Sequence, residues 1–207
     1  MKARLSLPVA VSVLFAFCPV LSNAATVVTF DDLSETGTGS DIANGYQGLN
    51  WGNFVVNNAI LYTNQINVVT GDYYGMVSAS NVAYDAFGDP SEIDALGTNF
   101  NFLSAYLTGF VNSNLNIQVQ GFNGGTMLFN TTVVASATSP TLFTFNYLNI
   151  DRLTFGPFGG QPAFGAFPYE QFVMDNFTFD LVPEPSTLVL AALSALTLWP
   201  FLKRRRT

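Results

Sequence analysis

The sequence predicts an all-β domain, an antiparallel β-sandwich of jelly-roll type, and three observations carry that prediction. Between Thr26 and Leu181, short runs rich in Val, Ile, Phe, Tyr and Thr are separated by Gly, Asn, Asp and Pro, the punctuation of tight turns. Apolar residues alternate with polar ones at period two: Ile117 and Val119 against Asn116, Gln118 and Gln120, and Phe143, Phe145 and Tyr147 against Thr144 and Asn146. No stretch between the two ends sustains a helical period. Half-buried strands then have only one another for cover, which two packed sheets provide.

Taken in order, the predicted strands are 27–30, 49–56, 75–78, 105–111, 115–122, 126–134, 142–147, 152–155 and 172–181. Asn123-Gly124-Gly125 joins two of them as a hairpin, because consecutive residues that accept positive φ suit the tight turn between twisted strands. Ser139-Pro140 opens another. The segment Gly156–Tyr169 is dense in Gly and Pro and carries Phe158, Phe164, Phe167 and Tyr169, so it reads as a loop bearing aromatic rings. Those rings either fold back over the core edge or form a surface on which sugars stack.

The two ends are of a different kind. Residues 1–24 give a basic start (Lys2, Arg4), an apolar stretch from Leu5 to Leu21, and then Ser22-Asn23-Ala24, with small residues where a signal peptidase inspects the chain. Cleavage after Ala24 is expected, and Phe17 before Cys18 argues against a lipoprotein anchor. Residues 183–207 run Pro183-Glu184-Pro185, an apolar stretch to Leu202, and the basic cluster Lys203, Arg204, Arg205 and Arg206. The two prolines forbid strand pairing and helix continuation, leaving an exposed extended linker that an enzyme can reach. The apolar stretch from Thr187 would be about 24 Å long as a helix, short for a hydrocarbon core of ~30 Å. It therefore suits a transient hydrophobic helix in the inner membrane, its basic end held in the cytoplasm and the β-domain outside. This order of features resembles the PEP-CTERM sorting signal. The resemblance implies recognition by an exosortase, cleavage near Pro183–Pro185, and release or attachment outside a bacterium that makes exopolysaccharide. An exported protein of the cell envelope or extracellular matrix is expected.

Composition closes off several functions for the intervening domain, residues 25–182. It has no His, Lys or Cys, so a Ser-His or Cys-His nucleophile pair, a His-ligated zinc and a Schiff-base lysine are impossible. Its thirteen acids from Asp31 to Asp180 face one base, Arg152, a balance that repels nucleic acid and expects Arg152 to pair with a carboxylate. The domain is read as non-catalytic. The alternative is a polysaccharide hydrolase using a carboxylate pair, drawn from Glu35, Glu92, Glu170 and the aspartates, although no motif singles one out. Ice binding wants a flat repeated Thr array, which the isolated Thr131-Thr132 does not supply.

Phe30-Asp31-Asp32-Leu33, Asn44 to Trp51, Ser78 to Ala83 and Phe172 to Phe177 together resemble the β-sandwich domains that commonly precede this sorting tail. That resemblance implies a fold and no particular activity. Two sets of candidate site residues follow from the chain itself. Asp32 continues the phase of Val28 and Phe30, and Asp175 shares a phase with Val173, Phe177 and Phe179. Carboxylates aimed toward a core need partners, and with almost no cations available those partners are backbone amides or a calcium ion held by Asp31, Asp32 and Asp175. Tyr46, Tyr73 and Tyr74 are the candidate platforms for stacking on a polysaccharide, while Trp51, in an alternating run, reads as core.

Overall fold

The computed structural model describes residues 24–33, 37–165 and 169–182. The expected signal segment up to Asn23 and the expected sorting tail, with Pro183, Glu184, Pro185 and the basic cluster Lys203, Arg204, Arg205 and Arg206, lie outside them, as does the predicted hydrophobic helix. Among the described residues no helix is long and apolar enough to cross a membrane.

The described chain forms β1 (Thr26–Val28), β2 (Ser40–Asp41), β3 (Leu49–Gly52), β4 (Phe54–Asn58), α1 (Ala59–Ile66), α2 (Gly71–Gly75), β5 (Asn81–Asp85), β6 (Ser91–Ala95) and β7 (Asn99–Gly109). It continues through β8 (Asn112–Ser113), β9 (Leu115–Asn123), β10 (Thr126–Ala135), β11 (Thr141–Ile150), β12 (Arg152–Phe158), β13 (Gln161–Pro162) and β14 (Phe172–Val182). A first sheet has the order β11-β7-β14-β5-β4-β2, with β1 also pairing β14; a second has the order β10-β9-β12-β6-β3. All these pairings are antiparallel, and the fold is an all-β sandwich.

The inner faces meet in a phenylalanine-rich core. Phe102 stacks on Phe145 at 4.8 Å and on Phe177 at 4.9 Å, and Trp51, 3% exposed, meets Phe30, Phe54 and Phe177 edge-on at 5.4–5.7 Å. Each such ring contributes about 1.5–3 kcal/mol through burial, and well-oriented pairs add ~0.5–1.5 kcal/mol. That is how a domain without disulfides holds together. The alternation in β9 and β11 places Ile117, Val119 and Tyr147 in the core, with Phe143 and Phe145 packed against it. Gly124 and Gly125, at φ 56° and 79°, make the β9–β10 hairpin turn.

The structure departs from the sequence expectations in four places. The run 49–56 is two strands in different sheets, because Asn53 takes φ 59° and turns the chain from β3 in the second sheet to β4 in the first. Residues 75–78 are not a strand, and 59–66 and 71–75 are helical. Asn58 starts α1 by accepting the Leu61 amide at 3.0 Å, and Asn67, left-handed at φ 53°, ends it. The apolar residues of α1 are scattered around it and only Ala59 is buried, so no helical period was there to read. Five strands, β5 and β6 and the two-residue β2, β8 and β13, lie outside the predicted set, and β12 runs on through Gly156 and Pro157. Beyond Phe155 its β6 side is unpaired, so the missing N–H of Pro157 costs no ladder bond. Finally, β14 changes phase: a bulge at Asn176 (φ 50°) leaves Phe172 and Met174 facing the core before it, and Phe177 and Phe179 after it.

Candidate functional site

A cleft of about 260 Å³ opens on the outer face of the first sheet. Its floor comes from strand phase: Phe54, Val56 and Ala83 point into the sandwich, so Val55 and Tyr84 point out. Tyr62 and Ile66 of α1 form one wall, and Phe110, just past β7, another. Tyr84 stacks on Phe110 at 5.7 Å, and Tyr62 leans on the same ring at 6.1 Å. The surroundings are tied by backbone. Phe110 N donates to Gln171 O at 2.8 Å, Ala163 N to Val111 O at 2.8 Å, and Gly71 N to Phe110 O at 2.6 Å. Gly71 is obligatory there, because a Cβ would sit 1.8 Å from the Gly109 carbonyl oxygen.

Phe87 stands at the rim. It is 72% exposed and has φ 60°, a conformation that is an outlier for a bulky side chain. The turn enforces it: Asn53 Nδ2 donates to Ala86 O at 3.2 Å and to Asp89 O at 3.0 Å, and Gly88 packs against the Glu170 backbone. The exposed ring meets Tyr169, also on the rim, edge-on at 6.4 Å. The surrounding contacts hold this strained conformation and leave an apolar ring in water at the mouth of the cleft.

Beneath the cleft lies a small polar network. Thr70, which lines the cleft, donates its hydroxyl to the Asp72 carboxylate, which also accepts the Tyr73 amide at 2.9 Å and Asn57 Nδ2 at 3.3 Å. Asp72 is fully buried, and burial lifts its carboxyl above the usual range against those hydrogen bonds. Burial and the nearby Asp72 charge raise the Tyr62 hydroxyl above its ordinary value. Across the cleft, Gln171 donates Nε2 to Asp85 O at 3.0 Å. Aromatic walls with a few fixed polar groups are the composition typical of ligand clefts.

The predicted site residues fall elsewhere. Asp175, fully buried, accepts the amides of Val77 at 2.7 Å and Ser78 at 2.9 Å on one oxygen and that of Asn176 at 2.7 Å on the other, with the Ser78 hydroxyl at 3.0 Å. Asp31 accepts the Asn81 amide at 3.0 Å, and Asp32 accepts the Tyr46 hydroxyl at 2.5 Å. These are amide and hydroxyl caps, not an oxygen cage. Protein donors fill these carboxylates, as in the backbone-amide alternative, and no metal-ligand cluster of three occurs among the described residues. Nor does Asp175 share a face with Phe177, because the bulge at Asn176 separates them.

Tyr46 packs against the core. Its half-buried ring covers Phe30 and Trp51 at the core edge, and its hydroxyl is raised by burial and the Asp32 carboxylate. Tyr73 and Tyr74 are exposed residues of α2, edge to face with each other, and Tyr74 stacks on Phe164 at 5.8 Å; neither lines the cleft. Arg152 pairs with Glu92 at 3.0 Å and lies 4.2 Å over the Phe122 ring, as the charge balance required. The cleft aromatics Tyr62, Tyr84, Phe87, Phe110 and Tyr169 share no sequence motif. One signal existed: Phe87-Gly88-Asp89-Pro90 puts a bulky ring where turn chemistry wants a small polar residue.

No family model matches the chain, and no curated protein matches it. Among solved structures, it is similar to a DUF4465 family protein from Bacteroides ovatus, with 9% identity and a TM-score of 0.40, covering 77% of this chain and 95% of that one. It is also similar to TmCBM61, solved in complex with β-1,4-galactotriose, with 9% identity and a TM-score of 0.33, covering 68% of this chain and 94% of that one. At these scores the likenesses carry no functional argument.

Proposed function

We propose that this chain is an exported bacterial surface protein whose sandwich binds polysaccharide, without cleaving it, in the cleft walled by Tyr62, Tyr84 and Phe110 and rimmed by Phe87 and Tyr169. The carrying observation is Phe87, a ring held out to solvent in a left-handed conformation at the mouth of an aromatic cleft. Sugar rings present apolar C–H faces to aromatic rings and hydroxyls to side chains such as Thr70 and Gln171. With thirteen acids against one Arg, the domain repels uronic-acid polymers, so the fitting ligand is a neutral glycan. Export by a signal peptidase and release through an exosortase rest on the order of features at residues 1–24 and 183–207.

Affinity electrophoresis of the protein through gels containing neutral and anionic polysaccharides tests the binding. Phe87→Ala is expected to lose most of the retardation by a neutral polymer while keeping the melting temperature, since so exposed a ring contributes little to folding. Retardation unchanged in both Phe87→Ala and Tyr62→Ala would remove the cleft from consideration, and new reducing ends in the polymer would restore the hydrolase reading. For the processing steps, the intact mass of extracellular material should correspond to a chain beginning near Ala25 and ending near Pro183–Pro185; recovery only of a full-length, membrane-retained chain would refute them.

A further inference from the structure

No charged residue occurs between Asp94 and Asp151, and this uncharged stretch builds β7, β9, β10 and β11. Two of these, β10 and β11, are edge strands, one in each sheet, and they lie on the same side of the sandwich, where Phe129 stacks on Tyr147 at 4.6 Å. The domain's charge is thus confined to the rest of its surface.

The two edges differ. Along β11 the register shifts twice, at the left-handed Asn146 and Asn149, which breaks the row of outward amides and carbonyls. Along β10 the pairing with β9 is regular from Phe129↔Gly121 to Ala135↔Leu115. That run, Phe-Asn-Thr-Thr-Val-Val-Ala, has high β-propensity, no charge and no proline, and among the described residues its outer side has no strand partner. Natural edges are ordinarily guarded by Lys, Pro or a bulge, and this run has none of them.

We infer that the β10 edge is a homotypic docking surface, where a second copy of this chain pairs antiparallel with residues Phe129–Ala135. Charge selects the occupant. Two acidic copies repel wherever their charged faces approach, and the β10–β11 side is where they can meet without bringing acids together. A basic partner would be drawn to the acidic faces instead. Pairing of the run with itself about a two-fold axis puts Thr132 opposite Thr132 of the second copy and closes after two subunits. A pair of molecules would then present two aromatic clefts to one polymer, an arrangement that raises avidity without new contacts to sugar.

Sedimentation velocity of the full-length chain in mild detergent, over a range of protein concentrations, tests this with Thr132→Lys and Thr132→Glu. The unmodified chain should form a dimer insensitive to sodium chloride. Each variant should associate roughly tenfold more weakly or worse, since like charges are forced into opposition. An equimolar mixture of the two variants should dimerise again, which a misfolded variant or a detergent effect cannot mimic. A monomeric unmodified chain, dimers persisting in both variants, or a mixture that stays monomeric would each overturn the inference.

Discussion

Replacing Asp175 separates the amide cap from the calcium alternative. Its carboxylate accepts three backbone amides and the Ser78 hydroxyl, and it ties residues 77–78, which are neither helix nor strand, to β14. Asp175→Ala leaves three amides without that acceptor; at ~1–3 kcal/mol for each unsatisfied group, less what water recovers, the loss is on the order of 3–5 kcal/mol. Asp175→Asn keeps one oxygen for Val77 and Ser78 but turns an NH2 group toward the Asn176 amide, so one bond is lost. Burial already raises the Asp175 carboxyl above its ordinary range, so the neutral isostere recovers some desolvation, and its cost falls to about 1–2 kcal/mol. For a domain of this size the alanine variant should melt roughly 6–20 °C lower and the asparagine variant a few degrees lower. Thermal unfolding by circular dichroism reads both, and amide hydrogen exchange should show Val77 and Ser78 losing protection in the alanine variant. Calcium and excess chelator should give superimposable curves for the unmodified protein. An alanine variant that keeps the melting temperature, or a calcium-dependent rise that Asp175→Asn abolishes, would refute the cap.

Two further outcomes are expected. Asp72, Asp85 and Asp175 all have folded-state carboxyls raised by burial, and Asp94 is pushed up to about 6 by burial and the neighbouring Glu92. The folded chain therefore holds more protons than the unfolded chain between about pH 4, the ordinary aspartate value, and those raised values. Stability should fall as pH rises through that window, so urea midpoints should be higher at pH 5 than at pH 7.5, and Asp85→Asn should shrink the difference; equal midpoints would show that these carboxyls are not raised. Arg152→Met removes the half-exposed pair with Glu92 and the cation over Phe122, together about 1 kcal/mol, while its thioether keeps contact with the ring. A melting temperature lowered by roughly 2–4 °C is expected, and no change would make the pairing immaterial.

Alternation made β9 and β11 legible because each has one face in the core and one outside. The same test failed for β5, where Asn81, Val82, Ala83 and Asp85 are all buried: the strand is central, and the second small core around Ala59, Val82 and Val173 covers its outer face. In β6 the alternation of Ser91, Ile93 and Ala95 with Glu92 and Asp94 is present, but two acids in five residues resemble a loop until the Arg152 pairing is known. The four stretches that carried the family resemblance do come together: Asp31 meets Asn81, Asp32 meets Tyr46, Asp175 meets Ser78, and Trp51 meets Phe177. They build the seam between β1, β5 and β14, which is why they indicated fold and not ligand. The cleft was hidden because its five rings come from α1, β5, the β5–β6 turn, the end of β7 and the segment before β14, which only tertiary structure assembles.

The handling of acid in this chain follows from its shortage of bases. With one Arg for thirteen carboxylates, a buried aspartate cannot find a cation within the domain, so each is met by N–H or O–H donors: Phe172 for Asp85, Thr70, Tyr73 and Asn57 for Asp72, and Val77, Ser78 and Asn176 for Asp175. Neutral donors compensate desolvation less fully than a cation would, which is why these carboxyls rise instead of falling. The places so capped are the ends of strands, the first turn of α2 and the irregular segment 77–78, where free amides are concentrated. Buried acid in this sandwich therefore marks where the covering segments are fastened to the first sheet. The cleft inherits its shape from that fastening: Asp72 holds the turn that carries Thr70, and Asp85 holds the start of β14 beside Gln171, so two buried carboxylates fix two of the polar groups that line the cleft.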